Sequence, residues 1–216
     1  MTDDLRLAPA WLWEPGTRQR RASGARGASV LELVIVVAIA SALAAASIID
    51  LRAASARMRA WSAARFLLTT FRSARIDAAR RGTAVGLRFV TGPDGVSFTL
   101  HVDGDGDGLG GDDLTDGTDP PLGPARRLED DFAGVGIAIR SDVIEVEGSA
   151  AISAGSDAVR LGPRDVITFT PEGTSSGGTV YLSGADNGVY AVRVQSSTGR
   201  ARALAFNRVT RTWEAP

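Results

Sequence analysis

The chain has 216 residues, of which 44% are hydrophobic and 23% are charged, and its formal net charge is −1. This balance does not indicate a nucleic-acid or acidic-substrate partner for the chain as a whole. Because the sequence contains no cysteine, disulfides, thiolate zinc sites and cysteine nucleophiles are excluded.

Residues 1–27 are predicted to form an unstructured basic leader. Four arginines cluster just before the apolar run that follows: Arg18, Arg20, Arg21 and Arg26. Such clusters favour retention on the cytoplasmic side of a membrane. A secretory signal peptide also begins with a basic region, but its apolar stretch has only about 7–15 residues. Ordinary signal cleavage near Ala44 to Ala46 is kept as an alternative.

Residues 28–50 form a long apolar run whose only early charge is Glu32. About 20 apolar residues in a helix, at 1.5 Å each, cross a bilayer core of roughly 30 Å. We therefore predict a single transmembrane helix here. A carboxylate inside such a segment is costly and calls for a partner or a function, so Glu32 is a candidate functional residue.

The order of residues around Glu32 resembles the processing site of type IV prepilins and pseudopilins. A basic leader ends at Gly27, a hydrophobic segment begins at Ala28, and Glu32 is the fifth residue of that segment. The resemblance implies cleavage by prepilin peptidase between Gly27 and Ala28 and methylation of the new amino group, although the family usually has phenylalanine at the position of Ala28. It also implies a single-pass protein of the bacterial inner membrane with a cytoplasmic N-terminus and a periplasmic C-terminal domain. The implied partners are other pseudopilins, the inner-membrane secretion platform and the lipid bilayer.

Glu32 has two interpretations. In a filament of such helices, its carboxylate can pair with the free amino terminus of a neighbouring subunit, where water does not screen the pair. That contact would set the axial register of the filament. The alternative is that Glu32 lies at headgroup depth and is solvated.

Residues 51–82 are predicted to continue the helix in amphipathic form. They contain no proline and no glycine before Gly82, whereas alanine and arginine, both good helix formers, are frequent. Apolar residues at helical spacing predict the face that packs on the domain core: Met58, Trp61, Ala64, Leu68, Phe71 and Ala78. The arginines of this segment are interpreted as a solvated face.

Residues 83–216 are predicted to form a β-rich globular domain. Ala84–Val90 and Val96–Val102 are joined by a Thr-Gly-Pro-Asp-Gly stretch that predicts a hairpin. Further predicted strands are Ile137–Arg140, Val143–Glu147, Val166–Thr170, Thr179–Leu182, Val189–Gln195 and Ala201–Phe206. We therefore expect an α+β fold in which antiparallel sheets pack on the outer half of the long helix.

The final third of the chain resembles the GspH/FimT class of pilin-like proteins. The resemblance is carried by Phe169-Thr170-Pro171-Glu172-Gly173, by Val180-Tyr181-Leu182, by Tyr190 to Val194 and by Gly199-Arg200-Ala201-Arg202. It implies a pilin-like fold and a minor pseudopilin of type II protein secretion, assembled at or near the tip of the periplasmic pseudopilus. It implies no enzyme and no required cofactor. A single-pass membrane protein of another kind, without processing, is a further alternative.

An acidic, glycine-rich loop runs from Asp103 to Asp119. Asp103, Asp105, Asp107 and Gly108 match positions 1, 3, 5 and 6 of a calcium-binding loop. Position 12 is Leu114 instead of a bidentate glutamate, so Asp112, Asp113 or Asp116 would have to complete the shell. Two interpretations stay open, a calcium site and a solvated acidic loop. The candidate calcium ligands are Asp103, Asp105, Asp107, Asp112 and Asp113.

No catalytic constellation emerges from the sequence. The Gly-rich stretches lack the strand-turn-helix context of phosphate-binding loops. His101, the only histidine, falls at the end of a predicted strand and is interpreted as a residue that faces solvent.

A group of C-terminal arginines leaves a second function open: Arg193, Arg200, Arg202, Arg208 and Arg211. Arg200 and Arg202 are two residues apart on a predicted strand and so project to one face. Such a patch contacts phosphates, and in the FimT branch a basic C-terminal region is associated with DNA capture. DNA uptake by a minor type IV pilin is therefore the alternative function. The competing interpretation is that these arginines pair with Asp186, Glu172 or the acidic loop.

Overall fold

Helix α1 runs from Val30 to Arg81 in the computed structural model, which describes residues 29–162 and 164–215 but not the side chains of residues 44–50. The helix ends where Gly82 adopts a φ of 70° and donates its N–H to the Ala78 carbonyl oxygen at 2.9 Å. A left-handed glycine is a common helix stop, because it lacks the Cβ that would clash. The helical prediction for residues 51–81 is confirmed.

The chain divides into a smaller unit that ends at Ala45 and a larger unit that begins at Ala46. Within the residues that the structure describes, no helix has both the length and the apolar character that crossing a membrane requires. The transmembrane assignment of residues 28–50 stays a prediction.

In the larger unit, α1 buries a face that consists mainly of alanine. Its fully or nearly buried residues are Ala56, Ala60, Ala63, Ala64, Leu67, Phe71, Ala74 and Ala78. The prediction was right for Ala64, Phe71 and Ala78 but wrong for Met58, which is 71% exposed. The buried face is therefore rotated away from Met58. Because most of its side chains are single methyl groups, the helix backbone lies close to the rest of the domain.

Eleven strands and two short helices follow α1 in the part of the chain that the structure describes. The strands are β1 (Val85–Gly92), β2 (Gly95–Val102), β3 (Arg126–Arg127), β4 (Val143–Ile144), β5 (Ala151–Ile152), β6 (Val159–Arg160), β7 (Val166–Phe169), β8 (Gly178–Ser183), β9 (Val189–Val194), β10 (Ala201–Asn207) and β11 (Thr212–Glu214). The helices are α2 (Asp113–Asp116) and α3 (Leu128–Asp131).

The strands form two main antiparallel sheets. The first has the order β3-β2-β1-β7 and the second the order β11-β10-β9-β8-β6, with β4 and β5 as a separate pair. The predicted hairpin is confirmed, because Val85 pairs with Val102 and the register continues to Gly92 and Gly95. Close strand packing on one long helix confirms the α+β, pilin-like fold.

Aromatic rings join α1 to both sheets. Phe71 lies 6.4 Å from Phe89 of β1 and 6.2 Å from Phe169 of β7, between ring centroids. Farther toward the start of the unit, Trp61 lies 6.3 Å from Tyr190 of β9. These contacts continue into one apolar core, so a single helix face organises two sheets.

The predicted strand Ile137–Arg140 is wrong. Ile137 and Ile139 are buried as an alternating pattern requires, but the segment forms no strand ladder. The Gly155 N–H donates to the Ile139 carbonyl oxygen at 2.7 Å, and the Ser183 side chain makes two further contacts. The Ser183 hydroxyl donates to the Ala138 carbonyl oxygen at 2.8 Å and accepts the Arg140 N–H at 3.1 Å. The predicted Val143–Glu147 strand is shortened to two residues.

Candidate functional site

The predicted processing residues Gly27 and Ala28 lie outside the residues that the structure describes. Ser29 precedes α1, and its hydroxyl oxygen accepts the Leu31 N–H at 3.3 Å while its carbonyl accepts the Leu33 N–H at 3.1 Å. Glu32 therefore lies in the first turn of α1, where a negative charge is favourable beside the unpaired N–H groups of the helix end. Its neighbours in this stretch are exposed apolar residues: Val30, Leu31, Leu33, Val34 and Ile35.

The acidic loop begins at Asp103, directly after β2, and its first residue forms hydrogen bonds with the two residues that precede β1. The Asp103 N–H donates to the Ala84 carbonyl oxygen at 2.9 Å, and the Thr83 hydroxyl donates to the Asp103 carbonyl oxygen at 3.1 Å. The loop then curls around the Asp103 carboxylate, which accepts the N–H groups of Gly106 at 2.7 Å and Gly108 at 3.1 Å. Asp103 is consequently buried.

Asp119 closes the same loop from its far end. Its side chain is fully buried, and its two oxygens accept the N–H groups of Gly104 and Gly110, each at 3.1 Å. One carboxylate oxygen from each of Asp103, Asp105 and Asp119 lies within 4.8 Å of the others. Oxygen ligands at this spacing are of the kind that calcium takes.

Asp119 was absent from the predicted ligand set, and Asp107, Asp112 and Asp113 are not part of this group of three. The sequence contained one signal for Asp119, since it is the last acidic residue of the loop before two prolines. The calcium-loop motif places its ligands within 12 residues of Asp103. It therefore does not include Asp119, which comes back to the site only after α2.

The remaining acids of the loop repel one another. The pKa of the Asp107 carboxyl is raised, mainly by the charge of Asp105 and to a smaller extent by partial desolvation. The pKa of the half-buried Asp113 is raised first by loss of solvent and then by the charges of Asp105 and Asp116. Hydrogen bonds from Thr118 lower the pKa of Asp116. The charge of Asp105 therefore contributes to the raised pKa of both Asp107 and Asp113.

His101 is buried, so the interpretation that it faces solvent is wrong. Its Nδ1 lies 2.9 Å from the Asp119 carbonyl oxygen. In that geometry Nδ1 carries the proton and donates. His101 thus fixes the backbone of Asp119 and has a structural place beside the acidic loop.

The C-terminal arginines are drawn together around one acid that the sequence did not indicate. Arg193 on β9 and Arg202 on β10 are cross-strand partners, and both reach Glu147. The distances are 2.5 Å from Arg193 Nη2 to Glu147 Oε2 and 3.7 Å from Arg202 Nη2 to Glu147 Oε1. With Arg200 they line a cleft of about 370 Å³. The expected partners Asp186, Glu172 and the acidic loop were wrong for Arg193 and Arg202.

Two glycines of the C-terminal motifs meet at one residue of α1. Arg75 donates from Nε to the Gly173 carbonyl oxygen at 3.3 Å. A Cβ at Gly199 would lie 2.5 Å from that same oxygen and 3.1 Å from Arg75 Nε. The motif residues after β7 and before β10 are therefore packed together on the helix. Arg75, which the sequence analysis placed on the solvated face of α1, holds these two turns in place.

A family model described as "Type II transport protein GspH" matches residues 63–199. The matched segment begins within α1 and ends at Gly199, so it includes both main sheets up to the turn before β10. Searches of curated proteins and of solved structures give no match.

Proposed function

This chain belongs to the GspH family of type II transport proteins, and from that premise we propose that it is a minor pseudopilin of the type II protein secretion system. In this proposal it assembles at or near the tip of the periplasmic pseudopilus. Its role is assembly and not catalysis, as expected for a family of structural components. The family match over residues 63–199 carries the proposal.

The proposed topology has a single pass through the bacterial inner membrane. The leader of residues 1–27 is cytoplasmic and is removed by prepilin peptidase, and residues 28–50 anchor the chain. Residues 51–82 continue the helix, and residues 83–216 form the periplasmic domain. The order of Gly27, Ala28 and Glu32 at the start of a long apolar run supports this arrangement.

Glu32 is proposed to be the assembly residue. Its carboxylate would pair with the free amino terminus that cleavage creates on a neighbouring pseudopilin subunit. The first-turn position of Glu32 in α1 supports this role, because the pairing partner is itself the start of such a helix. In a low-dielectric environment a bare carboxylate is costly, so pairing favours one axial register over others.

The mass of the full-length chain tests the proposal. The chain is expressed with and without prepilin peptidase and extracted from membranes. We expect a loss of 27 residues, about 3 kDa, with methylated Ala28 at the new terminus, only when the peptidase is present. Persistence of the full-length chain, or cleavage near Ala46, would contradict the proposal. Crosslinking to other pseudopilins and to the secretion platform then tests the assembly step.

DNA uptake by a FimT-like minor type IV pilin is the alternative. Arg193, Arg200 and Arg202 supply positive charge, but Glu147 neutralises part of it. Arg200 alone of the three has no ion pair within the residues described. The alternative predicts duplex DNA binding tighter than the roughly 1 μM of non-specific binders, with a steep dependence on salt. Fluorescence anisotropy of the full-length chain with labelled DNA decides between the two functions.

A further inference from the structure

A groove lies between α1 and the end of β10 in the larger unit. It has a volume of about 540 Å³, and Ala53 and Phe206 contribute apolar surface to it. Arg57 of α1 and Arg208, the residue after β10, line it as cations, and Asp186 also lines it. The Asp186 carboxylate accepts the Gly188 N–H at 3.2 Å. The groove thus combines an apolar floor with two guanidinium groups.

The turn between β10 and β11 begins at Arg208, the last residue of the chain that lines this groove. It presents Val209, which is 93% exposed, between Arg208 and Arg211. Arg208 is fixed by hydrogen bonds from Nη2 to the Ser141 hydroxyl and to the Asn187 carbonyl oxygen. Its Nε and Nη1 groups can also donate, and they have no partner among the residues that the structure describes. We call Arg57, Arg208, Val209 and Arg211 the basal surface.

The direction of β10 shows at which level along α1 the basal surface lies. Gly199, just before β10, contacts Arg75, whereas Asn207 at the end of β10 lines the groove with Arg57. The 18 residues between Arg75 and Arg57 span about 27 Å of helix, and eight residues of extended strand span about the same distance. The strand therefore descends along α1, and Val209 lies beyond it in the direction of Leu51.

The predicted transmembrane segment ends at residue 50, directly before Leu51. Arg57 is six residues past it, about 9 Å along the helix axis. The headgroup region of a bilayer extends roughly 5–8 Å beyond each side of the hydrocarbon core, so the Arg57 backbone lies just outside this region and its long side chain can reach into it. An exposed valine flanked by arginines at this level has the charge and polarity that suit an anionic lipid surface, since arginine binds phosphate through several N–H groups and an apolar side chain enters the interface.

We propose that the basal surface binds the anionic phospholipid headgroups of the bilayer that anchors the chain. This inference rests on the proposed function, because anchoring by residues 28–50 is what brings the surface to the bilayer. The contact would hold the domain against the membrane before assembly. Its strength would fall as salt rises, because salt screens exposed charges.

The absence of cysteine allows a direct test, since Val209→Cys creates a single labelling site in the full-length chain. Ser197→Cys labels the exposed turn at the opposite end of β10 as the matched control. Each labelled chain is reconstituted in vesicles of phosphatidylglycerol and phosphatidylethanolamine in equal parts. Retention after carbonate washing measures anchoring. Quenching of the fluorophore by headgroup-labelled lipid measures contact.

We expect strong quenching at position 209 and weak quenching at position 197. In vesicles of phosphatidylcholine the signal at 209 should fall toward that at 197. Arg57→Gln should lower the lipid-bound population about fivefold, as expected for one arginine near an anionic surface. Arg72→Gln, which removes an exposed charge farther along α1, should leave it unchanged.

Three results would overturn the inference. Equal quenching at 209 and 197 in a chain that resists carbonate would remove the lipid contact while leaving the anchor intact. Equal signals in anionic and neutral vesicles would show that lipid charge is not recognised. Loss of the chain on carbonate washing would remove both the anchor and the inference.

Discussion

Arg75 on α1 and Gly173 in the turn after β7 are 98 residues apart in sequence and are joined by a hydrogen bond of 3.3 Å from Arg75 Nε to the Gly173 carbonyl oxygen. Gly199 closes the other side of this contact. The helix, the end of the first sheet and the start of β10 thus meet at one guanidinium group.

Gly199→Ala should destabilise the domain strongly, although it adds only one methyl group. The residue has a φ of 57°, and an added Cβ would lie 2.5 Å from the Gly173 carbonyl oxygen. We expect the free energy of unfolding to fall by roughly 1–3 kcal/mol, from backbone strain together with the steric clash. Urea unfolding followed by circular dichroism measures the change. Gly123→Ala, where an added Cβ meets nothing within 4 Å, is the control and should stay within about 0.5 kcal/mol.

Ala60→Leu should also be destabilising, because Ala60 is fully buried and its Cβ lies only 2.9 Å from where a Cβ on Gly184 would be. Overpacking of this kind costs roughly 1–3 kcal/mol. The same substitution at Ala79, on the exposed face of α1, keeps the change in helix propensity but not the clash. Equal midpoints for the two variants in thermal unfolding would show that the close approach is not required.

The acidic loop should respond to pH in two opposite ways. The pKa values of Asp107 and Asp113 are raised above 3.8, so the folded state holds their protons more tightly than the unfolded chain. Their charges therefore reduce stability at neutral pH, and this loss disappears as pH falls through the raised pKa toward 3.8. Asp107→Asn should raise the unfolding midpoint at pH 7 in the presence of chelator, with a smaller effect near pH 4.

Asp116→Asn is the matched control for that substitution. The pKa of Asp116 is lowered by hydrogen bonds from Thr118, so its charged form stabilises the fold above pH 3.8, and that contribution is lost as pH falls through the lowered pKa. The variant should lower the midpoint at pH 7. If both variants shift the midpoint in the same direction, mutual repulsion does not govern the loop.

Calcium binding by the acidic loop stays a prediction, and it can be measured directly. A bound ion would neutralise the charges of Asp103, Asp105 and Asp119, whose oxygens lie within 4.8 Å of one another. Free calcium at a hundredfold excess over its dissociation constant would then stabilise the fold by about 2.7 kcal/mol. Asp105→Asn should abolish the effect, whereas Asp94→Asn in the β1–β2 turn should keep it. A midpoint that is equal in calcium and in chelator would support the solvated loop instead.

Glu32→Ala should leave membrane insertion intact and abolish pseudopilus assembly. The substitution removes a charge from an apolar stretch, so insertion becomes easier, but the carboxylate proposed to pair with the amino terminus of a neighbouring subunit is lost. Carbonate extraction measures the first property, and crosslinking between subunits measures the second. Glu32→Asp, which keeps the charge, should retain part of the assembly. Unchanged assembly of Glu32→Ala would support the solvated interpretation.

The parts of the fold that depend on local sequence were predictable. A run without proline and rich in alanine predicts α1 up to Gly82, and the Thr-Gly-Pro-Asp-Gly stretch predicts the β1–β2 hairpin. The Ile137–Arg140 segment was predicted as a strand because its isoleucines alternate, yet it forms no ladder and is held by hydrogen bonds with the Ser183 hydroxyl and the Gly155 N–H. Strands of two or three residues, such as β3 and β11, carry too little pattern to be found.

The contacts that define the candidate sites depend on residues far apart in the chain. Asp119 joins Asp103 only after the loop has passed through α2. Glu147 reaches Arg193 across 46 residues. Neither pairing follows from spacing, since each depends on where the sheet places a loop. The type of side chain was predictable at these sites, whereas its partner was not.

The alanine face of α1 has a mechanical consequence. Long side chains at a helix–sheet interface can change rotamer, which lets the two surfaces slide past each other when a force acts on them. The buried methyl groups of Ala56, Ala60, Ala63 and Ala64 have no rotamers to change. A push along this part of α1 therefore passes directly from the helix backbone to the strands beside it. The interface is therefore mechanically rigid, and a displacement of the helix along its axis displaces the sheets by the same distance.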